Sequence, residues 1–368
     1  MEALLLGLLL VLMLSDAPEY HIKDTEIFQV MLKDEVHVTS EGEVYLLNFE
    51  SRQVQHYAAD GKLKNTIGRK GKGPGEFTFP ILFRVIDKHI YVQDELNQMV
   101  AQFTMDGTYV RQMQLPGRNI KLDRANKGWM FWDMGDTMNP SSSELKWADA
   151  DFKESRTIAP IVSTGWGRGV NARTRGGVRK ITYSPLSVSP RMAMSPNGER
   201  CYLADAELYR IEVYDGHSAK HLYSISSSDK PLPFDTEWAD ERFLVATEVD
   251  RQRNPGVTIQ KLYPKVFPAI RSMSFNSEGQ LVVDRWRGRP DKNHYLKTYN
   301  NQGVEVPTVE SFNTLRRTMG VAKGMAYVMV LEEGEDSGLV KVPVDQVNDF
   351  VKANPITDWA FSRNIEFN

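Results

Sequence analysis

Short β-prone runs separated by Asp-Gly, Glu-Gly and Asn-Gly turns recur along this chain, and their order repeats. The first set is Val36 to Thr39, Val44 to Asn48, Gln53 to Tyr57 and Leu63 to Ile67, with Glu41-Gly42 and Asp60-Gly61 between runs. The second is Phe83 to Ile86, Ile90 to Asp94, Met99 to Phe103 and Tyr109 to Met113, with Asp87-Lys88 and Asp106-Gly107 in the matching places. Four runs joined by tight turns predict a four-stranded antiparallel meander. Four looser copies follow, around Gly128 to Asp133, Cys201 to Asp205, Leu281 to Asp284 and Ala326 to Val330. One meander cannot bury both of its faces, so six must pack face to face around an axis. The predicted fold is all-β, a six-bladed β-propeller of four-stranded antiparallel blades spanning residues 26–346. The sixth set lacks an outermost strand, and the strand-like run Glu26 to Leu32 is expected to supply it and close the ring.

The copies are joined first by Gly68 to Pro80, rich in glycine and lysine. A phosphate-binding loop needs a Gly-Lys-Ser/Thr element and a following helix, and neither is present. The stretch therefore reads as a tight joint between blades, with Phe77 and Phe79 returning to an apolar environment. Three other segments stand outside the repeat. Thr164 to Lys180 is Gly-rich and basic and reads as a mobile lip, with Trp166, Arg168, Arg173 and Arg175 as candidate ligand contacts or as a solvated loop. Thr236 to Asp250, behind Asp235, carries the signals of a helix between blades four and five, with Trp238, Phe243 and Leu244 expected to pack on the blades. Residues 347–368 form a C-terminal tail that opens on a short amphipathic turn.

At 368 residues with 41% apolar and 25% charged side chains, the chain can build a full core. Its net charge of −3 argues against a dedicated nucleic-acid binder. The single cysteine, Cys201, excludes an intramolecular disulfide and cysteine-based metal or haem sites, and reads as a buried thiol. Residues 1–17 hold an apolar run followed by Ser15-Asp16-Ala17, which reads as a signal peptide or, alternatively, a retained N-terminal membrane anchor, although Glu2 stands where a basic residue is usual. A periplasmic or secreted location is expected.

Two residue types recur at matching positions. Arg84, Arg191, Arg271 and Arg317 stand at or just before innermost strands, with His37 and Lys121 in the remaining blades. They form either a cationic ring at a channel mouth, suited to an anionic ligand, or structural pairs with neighbouring carboxylates. Asn48, Asp94, Asp205 and Asp284 end the second strands, where they either cap turns or, in the alternative, ligate calcium. The histidines show no zinc-binding spacing, and no Gly-x-Ser-x-Gly element occurs.

The Gly-Pro-Gly-Glu-Phe joint ending at Phe77, followed by Ile90 to Asp94, Phe103 to Gly107 and Phe267 to Ile270, resembles the NHL-repeat group, in particular its bacterial secreted six-bladed propellers. Many of those carry a lipid-attachment cysteine, which this sequence does not show after the apolar run. The resemblance implies a non-enzymatic binding or scaffold module whose partner is a protein, an anionic small ligand or a glycan, with no cofactor. The alternative is a lactonase-like, calcium-dependent propeller hydrolase or lyase using Asp94, Asp205 or Asp284.

Overall fold

A computed structural model describes residues 20–22, 36–116, 120–125, 128–133, 144–160, 168–174, 177–183, 191–205, 207–228, 230–287, 294–331 and 337–354. Two compact units divide the chain, one of residues 1–116 and 309–364 and the other centred on 117–308.

In the first unit a short strand, β1 (Tyr20–Ile22), precedes the meander β2 (Val36–Val38), β3 (Val44–Asn48), β4 (Gln53–Tyr57) and β5 (Leu63–Ile67). The joint adds β6 (Arg69–Lys70) and β7 (Glu76–Phe77), paired in parallel. The next meander is β8 (Pro80–Ile86), β9 (His89–Asp94), β10 (Met99–Thr104) and β11 (Tyr109–Gln114). Burial explains the sequence pattern of these blades. The second strand is covered on both faces and reads as a continuous apolar run, as in Val44 to Leu47, whereas outermost β11 alternates between partly buried and exposed.

The second unit holds the meander β12 (Ile120–Ala125), β13 (Gly128–Asp133), β14 (Glu144–Asp149) and β15 (Ser155–Pro160). It continues with β16 (Arg168–Thr174) and β17 (Gly177–Tyr183). A further meander is β18 (Arg191–Met194), β19 (Arg200–Ala204), β20 (Arg210–Asp215) and β21 (His221–Ser226). Helix α1 (Thr236–Arg253) follows, then β22 (Thr258–Lys261) and the meander β23 (Ile270–Phe275), β24 (Leu281–Arg285), β25 (Tyr295–Tyr299) and β26 (Glu305–Val306). Back in the first unit lie α2 (Phe312–Arg317), β27 (Thr318–Ala322), β28 (Met325–Leu331), β29 (Ser337–Pro343) and α3 (Val347–Ala353). Each unit thus contributes three four-stranded antiparallel sheets, and the six are the blades of an all-β six-bladed propeller.

Within each unit, successive blades share a core. Leu46 of β3 packs with Tyr327 and Met329 of β28, while Tyr45 and Leu47 from the same strand pack with Val92 and Phe103 of the following blade. In the second unit Cys201 and Leu203 face Met130 and Leu145, and Tyr202 and Ala204 face Leu281 and Val283. Alternate residues of one strand therefore serve two different interfaces. Cys201 is fully buried, as a structural thiol should be.

The strand that completes the sixth blade is β1, antiparallel to β29 with Tyr20 opposite Leu339. The closing strand thus lies before the expected run Glu26 to Leu32, which falls outside the described residues together with residues 1–17. The C-terminal boundary also moves, because Val347, Phe350 and Val351 of α3 pack on Ala326, Val328 and Val342. The segment expected as a C-terminal tail opening on an amphipathic turn thus begins as a helix packed in the first unit. Trp359 and Phe361 lie outside the described residues.

Helix α1 starts where the sequence places it: the Asp235 side chain accepts from Trp238 N at 3.0 Å, capping the first turn. Trp238 joins an aromatic group with Phe234 and Phe267. Leu244, expected to pack, is 66% exposed instead. The Phe243 side chain is outside the description. Among the described residues no helix is long and apolar enough to cross a membrane.

The Gly-Lys joint is folded around its own carboxylate. Glu76 accepts from Lys72 N at 3.0 Å and Gly73 N at 2.8 Å and pairs with Arg69 at 2.8 Å, and these donors hold its carboxyl below the usual range. The amides that a phosphate would need are thus occupied. Gly68 sits at φ +77°, and a Cβ there would lie 2.1 Å from the ring of Phe77, which is fully buried. Gly68→Ala is therefore expected to cost about 1–3 kcal/mol from left-handed strain and overpacking. Urea unfolding measures this, and a midpoint equal to that of the parent chain would contradict the assignment.

Candidate ligand-binding site

A cleft of about 370 Å³ opens in the second unit between the turn before β20, the segment ahead of α1 and the end of β24. Local sequence builds each wall. The Asp205 carboxylate accepts from Glu207 N and Leu208 N, both at 2.7 Å, and this turn delivers Tyr209 to the cleft. Tyr209 is 6% exposed, and its hydroxyl lies 2.7 Å from that of Tyr299. Burial pushes its proton affinity well above that of a free tyrosine, so the phenol stays neutral.

The opposite wall is a strap. Phe267 N donates to Leu232 O at 2.8 Å, Phe234 N donates to Lys265 O at 3.1 Å, and Pro233 bridges Val266 between them. Phe267 is held at the centre of an aromatic group with Phe234 and Trp238, so the strap presents Leu232, Phe267 and Pro268 as a fixed apolar surface.

Cations dominate the rest. Arg285 ends β24, is 9% exposed, and lies 4.8 Å over the Tyr209 ring. Trp286 follows, its backbone N–H donating to Ala269 O at 3.3 Å, with Arg271 4.7 Å over its ring. Arg287 stacks 4.6 Å over Tyr295, and Lys230 completes the lining. Stacking on aromatic faces orders these guanidiniums before any ligand arrives. Among the described residues the lining carries the cations Lys230, Arg285 and Arg287 and one carboxylate, Glu207.

The residues singled out from the sequence are dispersed by strand register. Arg84 lies opposite Tyr91, near the hairpin end of β8, and His37 lies opposite Tyr45 at the equivalent point of β2. The two do match, and Arg84 acts electrostatically on His37. Arg191 opens β18 opposite Ala204, two residues past Tyr202, and is therefore further from its hairpin. Arg271 falls in a bulge between the pairs Ile270↔Arg285 and Ser272↔Asp284. Its Nε stands 3.8 Å from the Asp284 carboxylate, which also accepts from Tyr295 N and lies 2.7 Å from His294 Nδ1.

Arg317 is not a mouth residue at all. It is 2% exposed and spends its donors on carbonyls of Met329, Val351 and Asn354. Lys121 is on β12, with its side chain outside the description. Arg84 and His37 thus hold matching places in their blades, while a strand start, a bulge and burial under α3 set Arg191, Arg271 and Arg317 differently in theirs.

The expected lip is partly sheet. Arg168 and Arg173 lie on β16, which pairs antiparallel with β17, and β17 runs parallel to β22. Trp166 and Arg175 lie outside the described residues. Glycine content pointed to a loop, yet β-branched and apolar residues such as Val170, Val178 and Ile181 sustain a hairpin.

The recurring acidic positions cap turns. Asp94 accepts from Thr78 N, Phe79 N, Asn97 N and the Asn97 amide at 2.5–3.2 Å, and Asn48 accepts from Ser51 N at 2.9 Å. Asp205 and Asp284 are engaged as described above. Among the described residues no group of three or more His, Cys, Asp or Glu is arranged to hold a metal ion. The cleft escaped the sequence reading because its residues come from a turn, a strap and a strand end, and none recurs between blades. The adjacent Arg285-Trp286-Arg287 was the available signal.

Comparison with known proteins bears on the fold. A family model described as a 6-bladed beta-propeller matches residues 28–165. No curated protein matches the chain. Among solved structures, an exported-protein candidate from Bacteroides fragilis NCTC 9343 is 13% identical, with a TM-score of 0.46 and coverage of 89% of this chain and 95% of that one. The hydrazine synthase of Kuenenia stuttgartiensis is 12% identical, with a TM-score of 0.36 and coverage of 89% and 70%. The family model and the six antiparallel meanders agree on a six-bladed propeller.

Proposed function

We propose that this chain is a binding module of the cell envelope or exterior that performs no catalysis, and that its cleft holds an acidic sugar unit of a glycan. The observation that carries this reading is the excess of three cations over one carboxylate among the described lining residues, beside stacked aromatic rings. Planar guanidiniums suit a carboxylate, a tryptophan face suits the C–H side of a pyranose, and Glu207 accepts from hydroxyls. A volume of about 370 Å³ suits one or two sugar units and falls within the usual range for small-ligand sites. The Gly71 to Phe77 joint supports grouping the chain with NHL-repeat-like propellers, and the apolar run before Ala17 supports export.

Calorimetric titration of the full chain with digalacturonate, against neutral galactobiose, tests the reading. The acidic disaccharide is expected to bind and the neutral one to bind at least about tenfold more weakly, as the loss of a charge-assisted pair implies. Arg285→Met and Trp286→Ala are each expected to weaken binding by a similar factor, and EDTA to leave it unchanged. Equal binding of both sugars, or no binding of either, would refute the proposal.

A further inference from the structure

Arg191 presents a problem that its blade does not solve. Its Nε is buried and meets no hydrogen-bond partner, and no ion pair reaches the guanidinium from any described residue. Burial alone acts on its proton affinity, lowering it, with no carboxylate opposing the effect. Arg191 as a whole is part-buried, and a cation even partly removed from water without a counter-charge is held at a cost that pairing relieves. Other shielded arginines have partners: Arg317 has three carbonyls, Arg271 has Asp284 and Trp286, and Arg285 and Arg200, whose Nε atoms also meet no hydrogen-bond partner, have the Tyr209 ring and Glu199. Arg191 does not line the cleft. It opens β18, an innermost strand flanked by β12 and β23 within the same unit.

We propose that Arg191 anchors a second anion site, separate from the cleft, which takes an oxyanion through the edge of its guanidinium. A carboxylate or a phosphate meets that edge with two parallel hydrogen bonds and supplies the missing charge. The site does not depend on what the cleft binds.

The test uses the full chain exchanged into a zwitterionic buffer at fixed ionic strength and titrated separately with acetate, citrate and inorganic phosphate. Wild type is expected to show a saturable rise in Tm of about 3–5 °C at a hundredfold excess over Kd. Arg191→Met is expected to lose the response and, without added anion, to melt at or above the wild-type temperature. Arg253→Met, at an exposed position of α1, is expected to keep the response. In the wild-type chain the same anions are expected to slow phenylglyoxal modification of Arg191, read by peptide mass spectrometry. Selective response to carboxylates or to phosphate supports the site and names the ligand chemistry. The proposal is overturned if wild type shows no response, if the Met variant responds equally, if that variant melts lower without added anion, or if modification of Arg191 is unaffected by anions.

Discussion

Arg317→Met is expected to lower the stability of the chain by about 3–5 kcal/mol, because it strands three carbonyls in a buried space. The guanidinium is 2% exposed, with Nε 2.9 Å from Met329 O and Nη1 2.6 Å from Asn354 O and 3.4 Å from Val351 O. Two of these acceptors belong to the C-terminal turn of α3, where carbonyls have no partner within the helix and favour a cation. Burial brings the proton affinity of Arg317 down to about 10, which still leaves it charged at neutral pH. Loss of the guanidinium should also loosen α3 from β28, since the same side chain ties both. Arg317→Lys keeps the charge but loses the fork geometry, and is expected to recover about half of the loss. Urea unfolding of the three chains decides the matter. A Met variant within about 1 kcal/mol of the parent would show that the carbonyls find other partners.

The opposite expectation for Arg191→Met shows why residue type alone did not locate the sites. Both arginines stand near the start of an innermost strand, and in the sequence they look alike. Their environments diverge through features that no repeat pattern encodes: the C-terminal turn of α3 supplies carbonyls to Arg317, while Arg191 Nε meets no hydrogen-bond partner. The blades were legible because their signals are local. Asp-Gly turns, apolar second strands and the polar caps at Asn48 and Asp205 each act within a few residues. Depth along a strand is not local. The bulges between Pro80 and Leu82, Ile270 and Ser272, and Thr318 and Gly320 each offset one strand against its partner. A one-residue slip moves a side chain to the other face, so aligned runs in the sequence do not fix the face of a residue such as Arg271, which sits in a bulge.

His37 supplies the pH-dependent counterpart, expected to destabilise the chain by about 2–3 kcal/mol as pH falls from 7 to 4. It lies on β2 opposite Tyr45, and burial, with the nearby positive charge of Arg84, lowers its pKa from 6.5 to about 4. Above pH 6.5 the imidazole is neutral in both the folded and the unfolded chain, so its contribution is complete. Between pH 6.5 and about 4 the unfolded chain takes up a proton that the folded chain refuses, and stability falls by up to about 1.4 kcal/mol per pH unit. Below about pH 4 both states are protonated and this contribution is spent. Carboxylates such as Glu43 and Asp215, held below their ordinary values by hydrogen bonds, begin to titrate toward the lower end of this window. The test is therefore the difference between two chains rather than one profile. His37→Gln cannot titrate, and its unfolding free energy should fall less steeply than that of the parent between pH 6.5 and 4. Arg84→Met should shift the parent's transition toward higher pH by relieving the repulsion, while leaving burial in place. Parallel profiles for the parent and the Gln variant would mean that His37 accepts its proton in the folded blade as readily as in the unfolded chain.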